Sequence, residues 1–142
     1  MGIKLATKNE FQWVNEQYKK IGFVPSDFES EMIAIVTYKD QYAGVGRIVY
    51  LNEIEAEWGI YILNEFRGLS LANELVDYLI NEVKKSNLKE VYCLAFEELK
   101  SFYGKYGFEE FEFDGKQINN HILKKYQWCL DNYEKKVLLL KL

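Results

Sequence analysis

Several short segments of this chain are rich in apolar, β-branched and aromatic residues and are bounded by short polar or glycine-containing turns, and this pattern predicts β-strands. The clearest pair covers residues 33–38 and 42–51, with a polar turn at 39–41 that predicts a hairpin. Gly44 and Gly46 interrupt the second strand of that hairpin, where glycine indicates a bulge or the close approach of another backbone. Further strands are predicted at Ile3–Leu5 and over residues 54–62, 91–96, 108–113 and 137–142.

Helical spacing of apolar residues marks the remaining segments. Thr7 and Glu10 form a capping box, in which Thr7 accepts from an orphan N–H and Glu10 reaches back, so a helix follows and ends at Gly22. A shorter helix is predicted to start at Pro25. Three more helices are predicted over residues 72–83, 97–105 and 118–133. The order β-α-α-β-β-β-α-β-α-β-α-β fits neither a pure βαβ alternation nor an all-β sandwich.

Composition narrows the class of protein. With 142 residues, the chain suits one domain over 1–142 that can bury a substantial core. The balance of 18 basic and 22 acidic residues argues against a nucleic-acid surface. No apolar run approaches membrane-spanning length, and no signal-peptide core is evident, so we expect a cytoplasmic protein without a membrane partner. Cys93 and Cys129 have no C-x-x-C spacing and are expected to be buried reduced thiols.

The spacing of apolar residues changes from a strand pattern to a helix pattern at the centre of the chain, and this change marks the strongest candidate for a binding site. The apolar run from Trp58 to Leu63 predicts a buried strand, and helical spacing begins at Ala72 after a turn that carries Arg67 and Gly68. The first N–H groups of a helix lack intrahelical partners, and the helix dipole favours an anion there. These residues alone leave two interpretations open. The segment is either an anion site, most often for phosphate, or an ordinary strand–turn–helix connection.

A second segment carries a resemblance to a known family. Tyr103 is followed by Gly107 and Phe108, and residues 67–72 read Arg-Gly-Leu-Ser-Leu-Ala. In this order and spacing the two segments resemble the GNAT family of acetyl-CoA-dependent N-acetyltransferases. The resemblance implies an α/β (α+β) fold, the GNAT fold, in which a mixed, mostly antiparallel sheet has helices on both faces. The helix between Asp114 and Val137 is longer than the hairpin that most relatives have there.

The resemblance implies where acetyl-CoA, the expected co-substrate, would bind. The amides of the turn would hold the CoA pyrophosphate; the turn consists of Arg67, Gly68, Leu69, Ser70, Leu71 and Ala72. Ser70 departs from the usual glycine, and we expect it to be tolerated because a residue at a helix start needs no positive φ. The backbone of the strand before the turn would pair with the pantetheine arm, a role that falls on Ile60, Tyr61 and Ile62.

The resemblance also implies catalytic roles. Tyr103 matches the general acid that protonates the departing thiolate, and a phenol with an ordinary pKa of about 10 carries its proton at neutral pH. Its alternative role is packing on a helix. Glu55 and Glu57 lie on one face of the strand that enters the site, and Glu57, nearer the reaction centre, is the candidate base. Either glutamate could instead be a solvated strand residue.

Other residues either depart from the family pattern or lack a catalytic assignment. Phe96 stands where relatives often have the asparagine that contacts the pantetheine arm. Tyr18, Phe23 and Phe28 are candidates for an acceptor pocket, although each could be plain core. His121 is expected on a helix surface, and one histidine with two distant cysteines provides no metal site, so no metal cofactor is expected.

These observations predict an acetyl-CoA-dependent N-acetyltransferase that moves an acetyl group to a primary amine by direct attack in a ternary complex. Its partner would be a small-molecule or peptide amine, and a homodimer is one open alternative for its assembly. The alternative function is a non-catalytic GNAT-fold protein that binds CoA or a protein partner.

Overall fold

The computed structural model describes residues 2–20, 31–113 and 117–142. The strands are β1 Gly2–Leu5, β2 Glu31–Tyr38, β3 Gln41–Tyr50, β4 Glu55–Ile62, β5 Glu90–Phe96, β6 Glu109–Glu110 and β7 Val137–Lys141. The helices are α1 Lys8–Lys20, α2 Leu71–Lys85, α3 Lys100–Gly104 and α4 Asn120–Asn132. The strands belong to one seven-stranded, mostly antiparallel sheet in the order β1-β2-β3-β4-β5-β7-β6. The predicted mixed fold is therefore confirmed.

One compact unit comprises Met1–Tyr50 and Gly59–Ser86. Within it, β2 pairs antiparallel with both β1 and β3. Because successive strand residues point to opposite faces, β2 contributes to two clusters. Ile33 and Ile35 pack with α1, and Ala34 and Val36 pack with α2. Helices therefore cover both faces of this part of the sheet, as predicted.

Gly44 of β3 lies against the end of β4. A Cβ at this position would lie 2.6 Å from Ile62 Cδ1 and 2.8 Å from the Tyr61 carbonyl oxygen. Real Cβ atoms do not approach that closely, so the predicted close approach of another backbone is confirmed. The nearby Leu63 N–H donates to the Ala43 carbonyl at 2.9 Å. The end of β4 is thus held directly against β3.

The start of α1 confirms half of the predicted capping box. The Glu10 carboxylate accepts from the Thr7 N–H at 2.9 Å, as expected. The Thr7 hydroxyl also donates to that same carboxylate at 3.1 Å, a contact that the predicted capping box does not include. The reason is that Glu10 is only 7% exposed, and a buried carboxylate has to be surrounded by donors. Lys4 and Tyr42 supply two more.

The second compact unit comprises Leu51–Trp58 and Asn87–Leu142. Here the first half of β4 pairs parallel with β5, from Glu55 opposite Glu90 to Trp58 opposite Cys93. Strand β7 runs antiparallel to both β5 and β6. Helix α4 covers one face, because its buried Ile122 packs with Tyr92 of β5 and Leu139 of β7. The prediction of a single domain over 1–142 stays a prediction.

The predicted strand at 108–113 is mostly wrong, because β6 contains only Glu109–Glu110. The aromatic side chains on either side pack against other rings: Phe108 contacts Trp58, and Phe113 stacks on Tyr126. The predicted helix at Pro25, the helix end at Gly22 and the turn at Asp114–Gly115 fall outside the described residues. None of the helices in the described ranges is both long and apolar enough to cross a membrane.

Candidate active site

The strand–turn–helix at the centre of the chain is present as predicted. Strand β4 ends at Ile62, a short 3-10 turn covers Asn64–Phe66, and α2 begins at Leu71. Along the end of β4, Ile60 and Tyr61 are half-buried and Ile62 is buried. Of the turn, Arg67 to Ser70 are exposed, whereas Leu71 belongs to the core. The predicted cofactor residues therefore lie together in one continuous segment of the first unit.

The turn has an unusual backbone conformation. Gly68 has a φ of +83°, which glycine adopts without strain. Ser70, the residue before α2, has φ +63° and ψ 20°, so the expectation that it needs no positive φ is wrong. The tight reversal after Gly68 requires a second left-handed residue before the helix can start. In this conformation the Ser70 hydroxyl makes no capping hydrogen bond to α2.

Ser70→Gly is therefore expected to stabilise the protein by up to about 1 kcal/mol. The substitution removes a left-handed strain of about 1–2 kcal/mol, offset in part by the greater freedom of glycine in the unfolded chain. Urea unfolding of the two proteins measures the difference. Gly68→Ser is the matched opposite change, and we expect it to destabilise because it places a Cβ at positive φ. A Ser70→Gly protein that is less stable than wild type would show that the hydroxyl makes a compensating contact.

Arg67 is the charged residue of the turn. Its Nε donates to the Ile62 carbonyl at 3.1 Å, and its guanidinium carbon lies 5.9 Å from the centroid of the Tyr61 ring. Both contacts return the side chain toward the end of β4. They hold a positive charge at the exposed turn that precedes the helix N-terminus, where the helix dipole has the same sign.

Tyr103 lies in α3, in the second unit, and is only 4% exposed. Its ring packs against Trp58, Phe102 and Phe108 at centroid distances of 6.5, 5.1 and 5.7 Å. The thiol of Cys93 on β5 is a neighbour of its hydroxyl. Burial, followed by the influence of Cys93, raises the pKa of Tyr103 well above its ordinary value of 10, so the phenol holds its proton at neutral pH.

Glu57 is buried in the second unit. Only 4% of the residue is exposed, which shows that the alternative of a solvated strand glutamate is wrong for this position. Its Oε1 accepts from the ammonium of Lys125 in α4, 68 residues along the chain. Its Oε2 has no hydrogen-bond partner among the described residues. A buried acceptor without a partner is costly, so this oxygen is a candidate for contact with a ligand or water.

The two candidate catalytic side chains lie on opposite faces of the β4–β5 pair. Glu57 is paired with Tyr92 and faces α4, whereas the next residue, Trp58, is paired with Cys93 and faces Tyr103. Directly opposite residues of neighbouring strands share a face, and successive residues alternate. Tyr103 therefore has Trp58 and Cys93 as neighbours, and Glu57 has Lys125.

The remaining candidates have clear positions. Glu55 is half-buried and accepts from the side-chain amides of Asn52 and Asn119 at 2.7 and 3.4 Å. His121 is exposed on α4, as expected. Tyr18 is 2% exposed within the α1 core cluster, which favours its alternative role as core. Phe23 and Phe28 fall outside the described residues.

Sequence reasoning missed Lys125 and Cys93 as neighbours of the catalytic candidates. Lys125 lies between the buried Ile122 and Cys129 on the inward face of α4, so helical spacing alone could have identified it. Cys93 and Cys129 are free and buried, as predicted. Burial raises the pKa of the Cys93 thiol to about 12.

Within the described ranges, no three His, Cys, Asp or Glu side chains are grouped to hold a metal ion.

Comparison with known proteins identifies the fold and the family of this chain. No curated protein matches the sequence significantly. Among solved structures, Rv2747 from Mycobacterium tuberculosis in complex with CoA and NLQ matches with a TM-score of 0.77 at 15% identity, over 100% of this chain and 98% of that one. A GNAT family acetyltransferase from Elizabethkingia anophelis with acetyl-CoA bound matches with a TM-score of 0.70 at 14% identity, over 99% and 96%.

An aminoglycoside 6′-N-acetyltransferase complexed with coenzyme A also matches, with a TM-score of 0.72 at 12% identity, over 100% of this chain and 96% of that one. At such identities these structures establish a shared fold. The acetyltransferase (GNAT) domain family matches the sequence itself over residues 26–125, which is more than half of the chain. The chain is therefore a member of the GNAT acetyltransferase family.

Proposed function

We propose that this protein is an acetyl-CoA-dependent N-acetyltransferase in which a primary amine attacks the thioester directly within a ternary complex. The observation that carries the proposal is the uncapped start of α2 after a left-handed turn, in a chain that belongs to the GNAT family. Two of the structural relatives named above were solved with CoA and one with acetyl-CoA, which supports the same co-substrate for this chain.

The turn has the properties that a pyrophosphate requires. Ser70 provides no side-chain cap to α2, and Arg67 adds a fixed cation at the same end of the helix. Gly68 keeps the exposed side of the turn open, since a Cβ there would meet no atom within 4 Å. The amides of Arg67, Gly68, Leu69, Ser70, Leu71 and Ala72 would bind the phosphates.

The end of β4 would hold the pantetheine arm through its backbone. Ile60 and Tyr61 are only half-buried, and Ile62 and Leu63 are fixed against β3. Acetyl-CoA supplies an acetyl group activated as a thioester. A backbone N–H of Ile60, Tyr61 or Ile62 would stabilise the developing oxyanion, and a single donor of this kind is worth about 3 kcal/mol.

Tyr103 would donate the proton that the leaving thiolate needs. A phenol with a raised pKa is a weak acid in water, yet the same burial makes a neighbouring thiolate a stronger base. Burial acts in this direction on Cys93, whose thiol pKa is raised to about 12 beside Tyr103. A thiolate released in that environment has a comparable proton affinity and can take the phenolic proton.

Glu57 would act as the base for the amine, either directly or through water. Alkylammonium groups have an ordinary pKa near 10, so most acceptor molecules arrive protonated and have to lose a proton before they attack. The Oε2 of Glu57, which has no partner among the described residues, is the atom that would take it.

The acceptor would be a small-molecule or peptide amine, and the protein would act in the cytoplasm. The net charge of −4 favours a cationic amine over an anionic one. A screen of amino acids, polyamines, aminoglycosides and short peptides tests the proposal, with thiol release from acetyl-CoA as the signal. Thiol release that depends on an amine supports the proposal. Tight CoA binding without turnover on any amine would instead support the non-catalytic alternative.

Saturating acetyl-CoA is expected to raise the melting temperature. Binding to the native state alone stabilises by about 2.7 kcal/mol at a hundredfold excess over Kd. Differential scanning fluorimetry measures the shift, and acetyl-pantetheine, which lacks the pyrophosphate, is the matched control and should produce a much smaller one. An unchanged melting temperature with acetyl-CoA would contradict the co-substrate assignment.

A further inference from the structure

We propose that Lys125 is a positioning residue, whose ammonium keeps Glu57 ionised and orients its carboxylate so that Oε2 can take the proton of the acceptor amine. The inference rests on the proposed function. It concerns α4, in the segment between Asp114 and Val137 where the sequence departs from the family pattern.

The position of Lys125 on α4 makes the contact with Glu57 a fixed one. Ile122 and Cys129, at the helical spacing before and after it, are buried at 0% and 6% exposure. Lys125 therefore points inward with them, and its side chain is only 22% exposed, against 5% for Glu57. The neighbouring Lys124 is exposed, so the same helix offers a lysine outside the site.

Lys125 is the cation paired with Glu57, and Glu55, two residues earlier on the same face of β4, is a second carboxyl. Cys129 of α4 and Cys93 of β5 are thiols whose pKa values are raised by burial. Tyr92, opposite Glu57 on β5, is a phenol whose pKa is raised first by burial and then by its bond to Glu90. A buried carboxylate that lacks a cation takes up a proton more readily, and a protonated carboxyl cannot act as a base.

The ion pair also determines which oxygen is available. The Lys125 ammonium donates to Oε1, which leaves Oε2 without a partner among the described residues. An ammonium bound at one oxygen fixes the rotation of the carboxylate and keeps the second oxygen available for a proton. This is the arrangement of a base held by a positioning residue, and it differs from a closed structural pair in which both oxygens are satisfied.

The test compares Lys125→Met, Lys125→Arg and the control Lys124→Met, using the best acceptor amine from the screen. We expect Lys125→Met to lower kcat/KM about tenfold or more at neutral pH and to move the acidic limb of its pH profile upward by about one pH unit or more. Activity then recovers toward wild type as the pH rises. Lys125→Arg should retain the wild-type profile, and Lys124→Met should be unaffected. A purely structural role predicts an equal loss at every pH, and that result overturns the inference.

Melting temperatures provide a second measurement that needs no acceptor. Lys125→Met should melt below wild type at neutral pH, and the double variant Glu57→Gln with Lys125→Met should recover most of the loss, because no buried charge remains unpaired. If the double variant instead shows the sum of the melting-temperature losses of its two single substitutions, the inference is overturned, whereas the proposed acetyl transfer is unaffected. If wild-type protein transfers no acetyl group, the proposed function fails, and the role of Lys125 in catalysis fails with it, whatever the melting temperatures show.

Discussion

Tyr103→Phe is expected to lower kcat about 100-fold or more, while the affinity for acetyl-CoA and the position of the ring remain close to wild type. The substitution removes only the hydroxyl, and the contacts of the ring with Trp58, Phe102 and Phe108 remain. The thiolate then has to take its proton from water or from the attacking amine. Single-turnover thiol release, together with calorimetric titration of CoA, separates the lost chemical step from lost binding.

Two control variants separate the role of the Tyr103 phenolic proton from the packing role of its ring. Cys93→Ala removes the thiol that neighbours the Tyr103 hydroxyl but keeps the phenol, so its kcat should stay near wild type. Tyr106→Phe removes a phenolic hydroxyl from a half-buried tyrosine just after α3 and should also be neutral. Full kcat in Tyr103→Phe would reduce Tyr103 to a packing residue. A large loss in Cys93→Ala would move the assignment to the thiol.

Arg67→Glu is expected to weaken CoA binding roughly 10- to 100-fold, since a charge-assisted hydrogen bond to an anion is worth about 1.5–3 kcal/mol and the variant adds repulsion. The substitution also removes the bond from Nε to the Ile62 carbonyl, which holds the cation at the turn. Calorimetric titration at two ionic strengths measures the change, and the difference from wild type should shrink at higher salt.

Lys84→Glu is the matched control for charge. It makes the same change in net charge at an exposed position in the last turn of α2, the opposite end of the helix from the turn that carries Arg67. Its affinity for CoA should differ little from that of wild type. Equal losses in both variants would show that overall charge governs binding. Unchanged affinity in Arg67→Glu would mean that the pyrophosphate binds away from the turn.

Much of the fold was predictable because its signals are local. The β2–β3 hairpin follows from two apolar runs separated by a short polar turn, and the turn is confirmed by positive φ values at Lys39 and Asp40. The strand–turn–helix around Arg67 follows from a change of period in a single segment. α4 likewise follows from helical spacing and begins after Asn119, whose side chain caps it. In each case neighbouring residues alone determine the structure.

The rest depends on contacts that sequence spacing does not encode. The pairing of Glu57 with Lys125 joins residues 68 positions apart, so a pattern of strand glutamates could not distinguish a buried carboxylate from a solvated one. The shortness of β6 results from ring contacts with Trp58 and Tyr126. The positive φ of Ser70 results from fitting a reversal between Gly68 and α2, and serine itself gives no sign of it.

The contact at Gly44 has a consequence for protein engineering. Any side chain at this position must displace the Tyr61 carbonyl or Ile62, and both belong to the segment proposed to hold the pantetheine arm. A larger residue at position 44 would therefore change cofactor affinity by displacing this strand segment, without itself contacting the ligand. A mutational library built only from ligand-contacting positions would overlook it. Selection for altered acyl-CoA preference should include this glycine, and selection for stability should leave it unchanged.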